Sequence, residues 1–170
     1  QQPDLIRRLY HSLTAHEAGH IAKTSPNRKA YDQWIASTSQ HMRDLARKID
    51  NVIEDPRVDS WVMFAWPNSF GASTDYYIEM MRPEVEKAAK DAPEAGRATK
   101  LYAILIAKGC YFSKLPATEF TKDAEIARRA EEAVKTILKL RYGRFQKEFV
   151  QGAESIYKHF EDLVPDVSID

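Results

Sequence analysis

Residues 3–24 read Pro3-Asp4-Leu5-Ile6-Arg7-Arg8-Leu9-Tyr10-His11-Ser12-Leu13-Thr14-Ala15-His16-Glu17-Ala18-Gly19-His20-Ile21-Ala22-Lys23-Thr24. Leu5, Ile6, Leu9 and Leu13 fall three and four apart, the spacing of one helix face, and Pro3 suits a first helical turn. The pattern predicts a helix that carries through His20 and stops near Thr24, where Ser25-Pro26-Asn27 breaks it. The chain therefore opens on a helix, with no alternating strand pattern before its first histidine cluster.

The same periodicity recurs downstream. Tyr31, Trp34 and Ile35 share a face, and Ser37-Thr38-Ser39 is expected to interrupt the helix and cap the next. Met42, Leu45, Ile49, Val52 and Ile53 continue it. Pro56 lacks a backbone donor, so a kink or restart is expected near Asp55. Trp66 to Thr74 reads as a loop, and Val62-Met63-Phe64 is too short to argue for a strand. Helices are expected over Tyr77–Lys90, Arg97–Phe112, Ala124–Leu140 and Arg144–Leu163, with a tail or linker beginning at Val164-Pro165-Asp166. The expected fold is all-α, one domain with a core at 1–66 and a helical remainder at 67–170.

Composition bounds the function classes. Of 170 residues, 44% are hydrophobic, enough for a real core. Lys plus Arg and Asp plus Glu both total 25, a balance that argues against a protein devoted to coating nucleic acid or an anionic membrane. The longest apolar run is Leu101–Ala107, far short of the roughly 20 residues that span a bilayer. One cysteine, Cys110, excludes an internal disulfide framework and a cysteine zinc cluster, and fits a reduced, cytoplasmic setting.

Chemistry concentrates in His16-Glu17-Ala18-Gly19-His20, an H-E-x-x-H string. Helical residues four apart share a face, so both imidazoles can reach one metal ion. Glu17 lies about 100° further round, beside such a metal rather than on it, where a carboxylate can take a proton from a bound water. Two surface histidines are the plainer reading.

A catalytic zinc site needs a third protein ligand. Asn51-Val52-Ile53-Glu54-Asp55-Pro56-Arg57-Val58-Asp59 supplies candidates, because Asp50, Glu54, Asp55 and Asp59 crowd four acids into ten residues. The competing reading is an acidic solvated surface. An unbroken helix from Arg28 to Glu54 would travel roughly 40 Å, carrying Glu54 away from His20. A ligand from this stretch therefore requires the chain to break and turn near Ser37–Gln40.

H-E-A-G-H followed by N-V-I-E-D-P-R-V-D resembles the zinc metallopeptidase domain that accompanies von Willebrand A domains, a family similar to the gluzincin proteases. His16, Glu17, Gly19, His20, Asn51, Glu54, Asp55, Arg57, Val58 and Asp59 carry the match. The resemblance implies a zincin-like helical core in which His16, His20 and Glu54 bind Zn2+ and Glu17 is the general base. Asp55 or Asp59 would orient a histidine through its other ring nitrogen, with Asn51 and Arg57 alongside. It also implies a peptide or protein substrate and a von Willebrand A or ATPase partner. Zincins set a small sheet before the H-E-x-x-H helix. Here only 15 residues precede His16 and they read as helix, so that sheet is expected to be absent or truncated.

Other residues carry weaker signals. Tyr76, Tyr77, Tyr111, Arg57 and His41 are each able to donate to an oxyanion. His11 and His159 read as surface residues and Cys110 as a small buried hydrophobe. Lys135–Lys147 holds five basic residues and no acid, which suits nucleic acid or a docking partner. Val134, Ile137, Leu138 and Tyr142 fall at core spacing within it and favour a solvated basic face opposite a core stripe. The leading expectation is a zinc-dependent hydrolase of peptide bonds. The alternative is a catalytically inactive helical interaction module with a structural or vestigial metal site.

Overall fold

In the computed structural model, residues 2–24, 28–143 and 146–164 are described; the breaker at Ser25–Asn27, the residues Arg144 and Phe145 and the tail from Pro165 lie outside them. Every regular element among these residues is helical: α1 (Gln2–Gly19), α2 (Arg28–Ser37), α3 (Arg43–Ala65), α4 (Phe70–Asp91), α5 (Arg97–Leu105), α6 (Ala124–Leu140) and α7 (Gln146–Tyr157). Wider π turns extend α1 over His20–Thr24 and α5 over Ile106–Cys110. No described helix is long and apolar enough to cross a membrane.

The break between α2 and α3 falls where the serine–threonine cluster sets it. Ser37 Oγ and Thr38 Oγ1 donate back to the Trp34 and Ile35 carbonyls at 2.6 and 2.7 Å. These side-chain bonds compete with helix propagation, and a short 3₁₀ turn, Gln40–Met42, then leads into α3.

Helix α3 is the axle of the fold, touching α1, α2, α4, α6 and α7. Ile49, Val52 and Ile53 join the main core with Leu101, Ile104, Leu105, Ile126, Ile137, Phe149 and Ile156. Burying each such side chain contributes about 1.5–3 kcal/mol. A second seam faces α1, where Val58 and Val62 are fully buried. Gly19 lies on that seam: a Cβ there would sit 2.5 Å from Val58 Cγ1 and 3.5 Å from Val62 Cγ2. The absent side chain lets α1 and α3 approach closely.

Several local expectations are corrected. Pro56 does not restart α3, which runs on as one helix to Ala65. Proline cannot donate to the Val52 carbonyl, but Cys110 Sγ lies 3.9 Å from that oxygen and takes the donor's place. The expected Trp66–Thr74 loop shrinks to a turn. Gly71 already belongs to α4, packed so tightly that a Cβ would lie 2.7 Å from Met63 Cα. On α1, Ser12, Ala15 and Gly19 form the buried face, while Ile6 and Leu13 are exposed. On α6, Val134 and Ile137 are buried, but Leu138 and the following Tyr142 face solvent.

Candidate metal centre

Two i, i+4 pairs meet across the α1–α3 seam. His16 and His20 come from the last turn of α1 and the start of its π turn, and Asp55 and Asp59 come from successive turns of α3. Because 55, 58, 59 and 62 form one stripe, the valines that pack on Gly19 also fix which acids face the histidines.

His16 Nδ1 lies 2.8 Å from Asp59 Oδ1. Donating its Nδ1–H to this carboxylate leaves His16 Nε2 as a lone pair, and that atom lies 3.0 Å from His20 Nε2. Asp55 Oδ1 is 3.4 Å from His20 Nε2 and 3.9 Å from His16 Nε2. The Asp59 contact raises the His16 pKa above its ordinary 6.5 against the opposing effect of burial, with Asp55 and Glu17 adding smaller contributions.

Among the described residues, His16, His20 and Asp55 form a group of potential metal ligands. Ligands on a tetrahedral zinc at about 2.0–2.1 Å sit roughly 3.3 Å apart. The three observed separations bracket that value, and Asp59 occupies the place of a carboxylate that orients a metal-bound imidazole. The donor set fits zinc.

The acid that joins the histidines is Asp55, and Glu54 lies elsewhere. Its carboxylate is 2% exposed, accepts from Tyr31 Oη at 3.1 Å and pairs with the Arg57 guanidinium. Arg57 in turn stacks over Phe149, 4.9 Å from the ring centre. Glu54 and Arg57 thus tie α3 to α2 and α7. Adjacent helical residues point about 100° apart, so Glu54 and Asp55 serve different faces of α3. Asn51 is exposed, and Glu17 is exposed beside His16 on α1.

A cavity of about 150 Å³ adjoins the centre, lined by His16, Asp55, Asp59, Tyr77 and Tyr111 among others. Of the residues able to donate to an oxyanion, Tyr77 and Tyr111 reach it. Tyr76 is surface-exposed under the Arg8 guanidinium, and Arg57 is committed to Glu54. The side chain of His41 lies outside the described residues. Burial, and then the neighbouring Tyr77, push the Tyr111 phenol well above its ordinary value and keep it a donor. Compared with family models, curated proteins and solved structures, the chain shows no significant match. The resemblance to zinc metallopeptidases therefore rests on the two motifs themselves.

Proposed function

We propose that the protein is a zinc-dependent hydrolase of peptide bonds, with His16, His20 and Asp55 as ligands and Glu17 as general base. The observation that supports it most is the triangle of two imidazole nitrogens and one carboxylate oxygen, backed by Asp59 on His16 Nδ1. Bound there, zinc would supply Lewis acidity and a coordinated water of lowered pKa. Asp59 holds the His16 ring in the tautomer that presents Nε2. Glu17 is close enough to raise the His16 pKa, and its carboxylate oxygens are exposed to take and return a proton.

The test pairs metal content with turnover. Mass spectrometry should find equimolar zinc in wild type and little in Asp55→Ala, while Glu17→Gln should keep zinc and lose roughly 10²–10⁴-fold in hydrolysis of a peptide library. Equal hydrolysis by Glu17→Gln would remove the base. A second reading, a helical interaction module with a structural metal, draws support from the outward apolar stripe Ile6, Tyr10, Leu13 and Ile21 of α1 and its π turn. Zinc whose removal unfolds the chain, with no peptide cleaved, would favour it.

A further inference from the structure

Helix α1 carries its bulky apolar side chains outward. The face it packs against α3 and α4 holds the small residues Ser12, Ala15 and Gly19. Ile6, Tyr10 and Leu13, with Ile21 in the π turn, point away from that packing and are 55–74% exposed. Ile6, Tyr10, Leu13 and Glu17 follow one another at intervals of four, three and four residues, the spacing of a helix–helix seam. A contiguous apolar stripe left in water is unfavourable, and a second helix laid along it would remove the cost.

Charge selects the occupant. One exposed cation, Arg7, edges the seam near its start, and one exposed carboxylate, Glu17, lies in it near its end. Arg8 turns away over the Tyr76 ring, and Asp4 stands roughly 150° round the helix from the seam. Two copies of α1 laid parallel would set Arg7 against Arg7 and Glu17 against Glu17. Laid antiparallel about a two-fold axis level with Ser12, they set each Arg7 against Glu17 of the other copy. Tyr10 then packs between Leu13 and Thr14 of the second copy, and Ile6 beside its Ala18. The stripe is its own complement in one direction only.

We propose that the outward face of α1 binds a second copy of this chain, as an antiparallel helix pair across a two-fold axis. The pair buries Ile6, Tyr10 and Leu13 and covers Glu17, so the monomer is the species whose Glu17 is open to solvent. Its formation requires no metal. The ion pair that Arg7 makes with Asp4 is solvent-exposed, so exchanging it for Glu17 of the second copy costs little.

The test is sedimentation velocity on the full chain over a concentration series, after chelator treatment. Wild type should dimerise with a Kd in the micromolar range. Ile6→Glu buries a carboxylate in the seam and should stay monomeric. Tyr142→Glu alters a side chain 72% exposed beyond α6 and should dimerise as wild type does. Arg7→Glu and Glu17→Arg each oppose like charges at two places, and each should weaken dimerisation about tenfold or more. Mixed in equal amounts, these two variants should recover the wild-type affinity, because the mixed pair sets opposite charges together at both places. Wild type that stays monomeric at every concentration overturns the proposal and gives the face to a different partner. A mixture that associates no better than its components also overturns it, by excluding the antiparallel register, as does loss of the dimer in Tyr142→Glu.

Discussion

His16 Nδ1 and Asp59 Oδ1, 43 residues apart in sequence, lie 2.8 Å apart across the α1–α3 seam. This contact couples a proton to the candidate metal centre. Because the folded pKa of His16 is raised, the imidazolium–Asp59 pair stabilises the metal-free fold fully below pH 6.5, and that stabilisation is lost as pH rises through the raised value. Zinc bound at this centre would compete with the same proton.

Histidine ring titrations by NMR on chelator-treated protein should therefore separate two histidines. His16 should titrate above 6.5, while His159, whose pKa is lowered chiefly by burial, should titrate below it. Asp59→Asn should bring His16 down and leave His159 in place. Adding zinc should abolish the His16 titration and leave that of His159 in place, and Asp59→Asn should weaken zinc binding by roughly 10–100-fold. Unchanged His16 titration in Asp59→Asn would remove the orienting role.

Substituting the neighbouring acids should separate metal binding from stability. Asp55→Ala removes a half-buried surface carboxylate and should abolish zinc uptake with little loss of stability. Glu54→Ala leaves the Arg57 guanidinium buried without its partner and should cost about 3–5 kcal/mol. At a temperature where that variant stays folded, its zinc content should match wild type. Loss of zinc from folded Glu54→Ala would return the ligand to the position implied by the motif resemblance.

That pair of residues also marks how far the sequence could be read. Helix positions follow from local periodicity and from breakers such as Ser37–Ser39, so most elements lie where the pattern places them. The rotational setting of α3 does not follow, because this helix is packed nearly all round: Val52, Ile53, Glu54, Pro56, Arg57 and Val58 are all buried. An amphipathic reading assumes a single buried face, and here there are two. One signal was present, since Asp55 and Asp59 share a stripe with Val58 and Val62, while Glu54 falls with Asp50 and Arg57. The donor that meets the Val52 carbonyl freed by Pro56 comes from Cys110, 58 residues away, and no local pattern shows such a contact.

Cys110 should behave as a scaffold thiol. It is buried, and burial pushes its pKa well above the ordinary value, with Asp55 and Asp59 adding to the shift. Alkylation at pH 8 should be slow in native protein and fast after denaturation, since the thiolate is the reactive form. Cys110→Ala should lower stability by about 1–3 kcal/mol by leaving the Val52 carbonyl without a donor and opening a small void. Rapid alkylation of the folded chain would contradict the thiol's place against α3.

Gly19 offers the sharpest test of the seam itself. Alanine is the better helix former by about 1 kcal/mol, so Gly19→Ala would stabilise α1 if local propensity decided the outcome. Packing opposes it, because the new Cβ meets Val58 Cγ1 at 2.5 Å, and the β-branched Val58 is stiff about χ1. Relieving that overlap requires α1 and α3 to separate, at about 1–3 kcal/mol. The same movement carries His16 and His20 away from Asp55 and Asp59, so melting temperature and zinc affinity should fall together. Gly19→Ala combined with Val58→Ala should recover zinc affinity, because the overlapping methyl groups are gone while all four site residues are kept. A Gly19→Ala protein that melts higher than wild type and binds zinc equally would show that the close approach of these helices does not position the site.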